Sequence, residues 1–401
     1  MKKPLSAVLD KIQPSITMGI TSKAQALREQ GHTVYSLGAG EPDFPVHSAA
    51  KMAAVEAIAA NKSKYGSVEG IWELRAAIAE KLRAENAVDA SPSEVIVTSG
   101  AKQGLFCAMQ ALCSPGEEIL IPTPAWVSYV EMARIAGAVP VAFPTSKENG
   151  FKITPGELES ALTENTKAVI VNSPSNPTGA VYTREELYAL YEVCERAGVY
   201  AISDEIYEKF LYDGAKHVSM ASLGDKAKET VVTVNGFSKA FSMPGWRVGY
   251  VMAEQPIIRA MSAIQGHCVS HASLIGQYAA AAALSLGSGY FSELASEYAQ
   301  RRAIAKAFLD EYGIGYPDPL GAFYIFCDIS PYLTDEAATA AAWCEKLLEE
   351  EKVVCVPGEF FGSQGCIRIS YAAKKEVLSE ALGRIGSFLE RRGAVRTPGA
   401  R

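Results

Sequence analysis

Histidine is scarce in this chain, with 5 among 401 residues. A mechanism built on a histidine general base therefore has little material. No apolar run approaches the ~18 residues that a membrane span needs, so none is expected. Basic residues are not in excess: 38 Lys and Arg face 45 Asp and Glu, a net charge of -7. That excludes a strongly basic field for holding nucleic acid. The 8 cysteines form no C-x-x-C pair and read as reduced thiols of a cytoplasmic protein. Met1-Lys2-Lys3-Pro4 starts basic, but Lys11, Gln13 and Pro14 interrupt any apolar stretch, so no signal peptide is expected. There is no G-x-x-x-x-G-K-[ST] and no G-x-S-x-G. Gly38-Ala39-Gly40 opens like a dinucleotide loop, but Glu41-Pro42 place an acid and a proline where a pyrophosphate would lie. His267, Cys268 and His271 have i, i+4 spacing without an evident third and fourth ligand, so no metal site is expected.

What is present suits a large folded chain. Apolar residues make up 48% and charged residues 21%. Helical spacing is read over 19–30, 48–60 and 70–86. From residue 95, compact β-rich runs alternate with helical stretches at 101–112, 126–136 and 184–197. The runs are Val95–Thr98, Glu118–Ile121, Val139–Phe143, Ala168–Asn172, Tyr200–Ser203, Val231–Val234 and Val248–Met252. Compact apolar blocks, rather than alternating ones, suit strands buried on both faces. The expected fold class is α/β, with a large domain around a mostly parallel sheet and a small α/β domain.

Long helices are expected at 255–285 and 289–312. Strands follow at Ala322–Phe326, Val353–Val356 and Ile367–Ser370, with helices near 335–350 and 373–390. The expected division has residues 1–47 joining the small domain, 48–300 forming the large domain, and 301–390 forming the small one. The Arg-rich stretch 391–401 is expected to be a disordered tail.

The segment Asn235-Gly236-Phe237-Ser238-Lys239-Ala240-Phe241-Ser242-Met243-Pro244-Gly245-Trp246-Arg247-Val248-Gly249 follows the run Val231–Val234. It sets a lysine at a strand end among apolar residues, with an arginine eight positions on. Burial and a neighbouring cation both lower a lysine's pKa and make it a usable amine nucleophile. This segment resembles the pyridoxal-phosphate lysine signature of class I and II aminotransferases. The resemblance extends through Gly40-Glu41-Pro42-Asp43-Phe44, Tyr65-Gly66, Thr98-Ser99-Gly100-Ala101-Lys102-Gln103 and Asn172 to Gly179. It continues through Ser203-Asp204-Glu205-Ile206-Tyr207, Gly321-Ala322-Phe323-Tyr324 and Ile367-Arg368-Ile369-Ser370-Tyr371. Bacterial-type aspartate aminotransferases, a branch with members that also act on prephenate, are the most similar group.

The resemblance implies the fold type I of pyridoxal-phosphate-dependent transferases, and pyridoxal 5'-phosphate as cofactor. It implies that Lys239 holds the cofactor as an imine and shuttles the substrate proton. Asp204 would pair with the ring nitrogen and keep it protonated, and Tyr207 and Asn176 would donate to the phenolic oxygen. Gly100, Ala101 and Lys102 would cradle the phosphate at a helix N-terminus, with Arg247 as a fork of donors. Trp126 would stack on the ring, and Tyr65 would reach the phosphate of a neighbouring subunit in a homodimer with shared sites. Arg368 would grip the substrate α-carboxylate, beside Gly40, Trp126 and Asn176. Lys102 and Thr17 would meet the distal carboxylate.

Two departures stand out. Gly236 replaces a serine that many relatives carry, leaving Ser238 as a substitute for that phosphate contact. The loop Asp43-Phe44-Pro45-Val46-His47 differs from the family's Asp-Phe-Asp-Thr-Pro. The expected activity is ping-pong transfer of an amino group between an amino acid, foremost aspartate or glutamate, and 2-oxoglutarate or oxaloacetate. A lyase or synthase on the same fold is the enzyme alternative, and a regulator with an aminotransferase-like domain is the other class. Relatives active on prephenate commonly carry Lys where Gln13 stands, so weak prephenate activity is expected.

Overall fold

The structure is a computed structural model that describes residue 12, residues 16–224 and residues 226–396; the side chains of 16–21 lie outside the description. Its strands are β1 (Tyr35–Ser36), β2 (Val95–Thr98), β3 (Glu118–Thr123), β4 (Val139–Pro144), β5 (Thr166–Asn172) and β6 (Tyr200–Asp204). They continue with β7 (Val231–Gly236), β8 (Gly249–Met252), β9 (Tyr324–Asp328), β10 (Val353–Val354), β11 (Val356–Pro357) and β12 (Cys366–Ser370).

Seven of these form one sheet in the order β2-β8-β7-β6-β5-β3-β4. Only β8 runs antiparallel to its neighbours, so the sheet is mostly parallel, as expected. Every residue of β2, β7 and β8 is buried, which suits their compact, mostly apolar runs. Helices cover both faces. Gln255–Cys268 packs on Ala101–Leu112, while Arg184–Ala197 starts at a Thr183/Glu186 capping box and ends at Gly198 in the left-handed region. The carboxyl ends of β2, β3, β5, β6 and β7 share one edge of the sheet, where open α/β sheets present ligands.

The other strands come mainly from the C-terminal third. β9, β12 and β11 form an antiparallel sheet, and β1 pairs in parallel with β10. The N-terminal strand is thereby tied to the far end of the chain, and Leu37 continues the link to Val354 and Ser370.

Three elements differ from the sequence expectation. The helix expected over 255–285 is two helices, Gln255–Cys268 and Leu274–Leu284. Between them Ser270 takes φ 63°, and the Ser273 side chain caps the second helix. The run Val353–Val356 divides at Cys355, because its halves pair with different partners. The strand expected from Ala322 starts at Tyr324, since Ala322 takes φ 58° and is not extended. In the stretch expected to be a tail, residues up to 396 are described; Arg391 and Arg392 pair there with Glu350, and Arg391 also with Glu351. Residues 397–401 lie outside the described ones. No described helix is long and apolar enough to cross a membrane.

Candidate active site

A cavity of ≈ 370 Å³ opens at the carboxyl edge of the sheet. Lys239 lies after β7, Asp204 ends β6, and Asn172 ends β5 with Asn176 just beyond it. Trp126 follows β3, and Ala101-Lys102 begin the helix after β2. Arg368, from the middle of β12 in the three-stranded sheet, reaches the same cavity. Gly40, Tyr207 and Arg247 complete the expected residues on its wall.

Four cations meet here. Lys239, Lys102, Arg247 and Arg368 all line the cavity, and none forms a salt bridge among the described residues. Lys239 is half-buried against Tyr207 and Phe323, and its ammonium donates to the Gly40 carbonyl. Burial, and next the Arg368 cation, push its pKa down to about 8. Lys102 lies 4.8 Å from the Trp126 ring centroid, and burial, then Arg247, lower its pKa. Arg247 donates to the carbonyls of Pro244 and Ser99.

Arg368 is fully buried. It donates to Asn176 Oδ1 at 2.8 Å and to the Gly38 carbonyl at 2.7 Å. Its guanidinium lies 4.4 Å from the Tyr324 ring centroid and 5.0 Å from that of Phe361. Its Nε has no partner, so a donor remains for a ligand.

At the other end stands one buried carboxylate. Asp204 accepts from Tyr129 Oη at 2.7 Å and from the Ile206 N–H. Burial pushes its carboxyl up to about 6, and these two hydrogen bonds pull in the opposite direction.

The phosphate-sized corner is built from backbone. Gly100 caps the helix Ala101–Leu112 with φ 84°. The N–H groups of Ala101 and Lys102 fall in the first turn, where no intrahelical acceptor exists. A side chain on Gly100 would collide with the Arg247 guanidinium, so glycine brings the two together. Helix N–H groups beside an unpaired arginine suit a phosphate, and a buried carboxylate suits a protonated ring nitrogen. The residues present therefore fit pyridoxal phosphate.

Some expected residues lie elsewhere. Gly236 is buried opposite Gly249 and does not line the cavity, whereas Ser238 does. Tyr65 is 91% exposed, away from this chain's own cavity and edge-on to His271. Gln13 and the Thr17 side chain lie outside the described residues. The His267, Cys268 and His271 spacing is broken by the helix end at Cys268; His271 instead accepts from the Gly66 N–H. Glu205, Glu208 and His217 do come together, but Lys81, Asn86, Ser203 and Ser219 already occupy their oxygens.

Sequence reading assigned no role to Tyr129 or Tyr324. Tyr129 stands three residues after Trp126, a spacing that puts both at one helix start, packed edge-on with centroids 5.3 Å apart. Tyr324 is fully buried and pairs with Tyr207, Oη to Oη at 2.9 Å.

The comparisons with known proteins agree with this geometry. The sequence matches the family model "Aminotransferase class I and II" over residues 32–385. It is 43% identical over 394 residues to an aspartate aminotransferase of Bacillus subtilis, covering 96% of this chain and 99% of that one. It is 42% identical to a probable aspartate/prephenate aminotransferase of Aquifex aeolicus, covering 97% of this chain and 100% of that one. The solved Thermus thermophilus aspartate aminotransferase with maleate superposes with a TM-score of 0.91 at 41% identity, covering 96% of this chain and 100% of that one. The chain belongs to the class I and II aminotransferase family and is an enzyme that moves amino groups between amino acids and 2-oxo acids.

Proposed function

We propose that this enzyme uses pyridoxal phosphate in the cavity around Lys239, with aspartate or glutamate as amino donor and 2-oxoglutarate or oxaloacetate as acceptor. The observation that carries the reading is one cavity that holds the Lys239 amine, the buried Asp204 carboxylate and the buried Arg368 guanidinium on its wall. Bound pyridoxal phosphate supplies an imine-forming aldehyde and an electron sink for the bond that breaks at the substrate α-carbon.

The chain's own residues do the rest. Lys239 would hold the cofactor and would carry the proton of the substrate α-carbon on its amine; a pKa lowered to about 8 suits both giving and taking that proton. Asp204 would keep the ring nitrogen protonated. Tyr207 and Asn176, on the cavity wall, would donate to the phenolic oxygen, and Trp126, also there, would stack on the ring. Gly100, Ala101, Lys102 and Arg247 would hold the phosphate. Ser238, on the cavity wall, stands in for the serine that Gly236 replaces. Arg368 orients the α-carboxylate beside Gly40, and Lys102 reads the distal carboxylate, with Thr17 as its companion.

A homodimer with shared sites is part of the proposal. Met52, Val55 and Ile58 are exposed along one helix, and Tyr65 and Trp72 are exposed as well. Such an apolar face suits a second copy, which would carry Tyr65 to the neighbouring phosphate. In the same reading residues 1–47 join 301–390 as the small domain, supported by the β1–β10 pairing. Eight cysteines without disulfides support a cytoplasmic setting.

The test is a half-reaction panel. Protein loaded with pyridoxal phosphate should be yellow, and aspartate and glutamate should bleach the colour faster than alanine. Oxaloacetate and 2-oxoglutarate should restore it. A protein that takes up no pyridoxal phosphate would overturn the cofactor reading, and equal rates for all donors would overturn the donor reading.

A further inference from the structure

Tyr324 touches three of the groups that the sequence singled out. Its hydroxyl lies 2.9 Å from that of Tyr207. Its ring carries the Arg368 guanidinium 4.4 Å from the centroid. Its oxygen packs so closely on Gly40 that a side chain there would collide with it. Gly40 in turn accepts from Lys239. Tyr324 and Tyr207 are both buried, and both line the cavity.

Only one proton can lie between two hydroxyl oxygens 2.9 Å apart. The cation over the Tyr324 ring withdraws electron density and makes that hydroxyl the better donor of the two. Tyr207 then accepts, and its own proton must point elsewhere. The remaining direction is the cavity, which Tyr207 lines.

We infer that Tyr324 is a positioning residue that donates to Tyr207 and so aims the Tyr207 hydroxyl at the cofactor's phenolic oxygen. This rests on the pyridoxal-phosphate reading of the cavity. It links the carboxylate site to the cofactor site through one side chain: the ring of Tyr324 supports Arg368, and its hydroxyl sets Tyr207.

The experiment is an absorbance titration of the loaded enzyme. A hydrogen bond from Tyr207 stabilises negative charge on the phenolic oxygen, and so holds down the pH at which the bound cofactor loses its proton. Tyr324→Phe keeps the ring under Arg368 and removes only the donor. Its spectral midpoint should rise by roughly half to one pH unit. The Michaelis constant for the amino donor should stay unchanged, since Arg368 keeps its platform. In a Tyr207→Phe background the same substitution should move the midpoint no further. 3-Fluorotyrosine at position 324, a stronger donor that cannot disturb packing much, should lower the midpoint. An unmoved midpoint in Tyr324→Phe, or a full extra shift in the double variant, would overturn the inference. A wild-type protein that takes up no pyridoxal phosphate would overturn the underlying reading and the inference with it. Uptake without the shift overturns the inference alone.

Discussion

The Tyr129 hydroxyl donates to Asp204 Oδ2 at 2.7 Å, with both groups buried. Burial alone pushes the Asp204 carboxyl up, and this hydrogen bond is the largest influence holding it back to about 6. Tyr129→Phe keeps the ring against Trp126 and removes the donor. The carboxyl should then titrate roughly 1–2 units higher, the equivalent of a hydrogen bond to a charged group. A carbon-13 titration of the cofactor-free protein, with Asp204→Asn assigning the resonance, reads the midpoint directly. The acid limb of the transfer rate should move up with it. A midpoint still at about 6 would show that Tyr129 does not control this carboxyl.

Lys239 should be an unusually reactive amine. Its pKa of about 8 lies below the ordinary 10.5, so labelling of the cofactor-free protein by an aldehyde plus borohydride should rise through pH 8. Other lysines should label only at higher pH, and Lys239→Met should lose the early label. The sign for stability follows. Between pH 8 and 10.5 the unfolded chain binds more protons at this site than the folded one, so its contribution to stability rises with pH across that window. Cofactor-free Lys239→Met should therefore melt higher than wild type at pH 7, with the gap closing toward pH 10.5. A gap that is constant with pH would mean that Lys239 titrates normally.

Gly100 carries the backbone of the phosphate corner at φ 84°, with Arg247 against it. Gly100→Ala strains the backbone by about 1–3 kcal/mol and pushes the guanidinium away. Pyridoxal phosphate should bind the cofactor-free protein about ten-fold or more weakly, measured by quenching of tryptophan fluorescence. Gly156→Ala, where a side chain meets open space, serves as the control and should bind normally. Unchanged affinity in Gly100→Ala would place the phosphate elsewhere.

Lys102 lies over Trp126 and has no acidic partner among the described residues. Lys102→Ala leaves the backbone N–H for the phosphate and removes the compact cation. Turnover per unit KM with aspartate and glutamate should fall at least ten-fold, while alanine should change little. Equal losses for aspartate and alanine would show that Lys102 does not read the distal carboxylate.

How much of this was legible without the structure depends on the range of each interaction. Most strands of the central sheet were readable because burial on both faces leaves compact apolar-rich blocks, as in Val95–Thr98 and Val231–Val234, whereas no residue of the edge strand β4 is buried. The helix Arg184–Ala197 carries its own start and stop, a Thr183/Glu186 box and Gly198. Breaks set by distant pairing were not readable. The division at Cys355 depends on β1 and β12, and the break near Ser270 lies where His271 meets Gly66.

The site divides in the same way. The chemical groups and their short-range frame are set by chain order: Lys239 and Arg247 in one segment, Asp204 and Tyr207 in another, Gly100 and Lys102 at a helix start. Those spacings carry meaning because strand ends and helix termini are local structures. Which groups meet depends on how the elements pack. Tyr129 and Asp204 stand 75 residues apart, Tyr207 and Tyr324 117, and Arg368 and the Gly38 carbonyl 330. Sheet order and the docking of β1 onto β10 set those distances, and no local pattern encodes them. The pKa values of Lys239 and Asp204 follow from that assembly as well. Burial is their leading cause, and burial is a property of the packed whole.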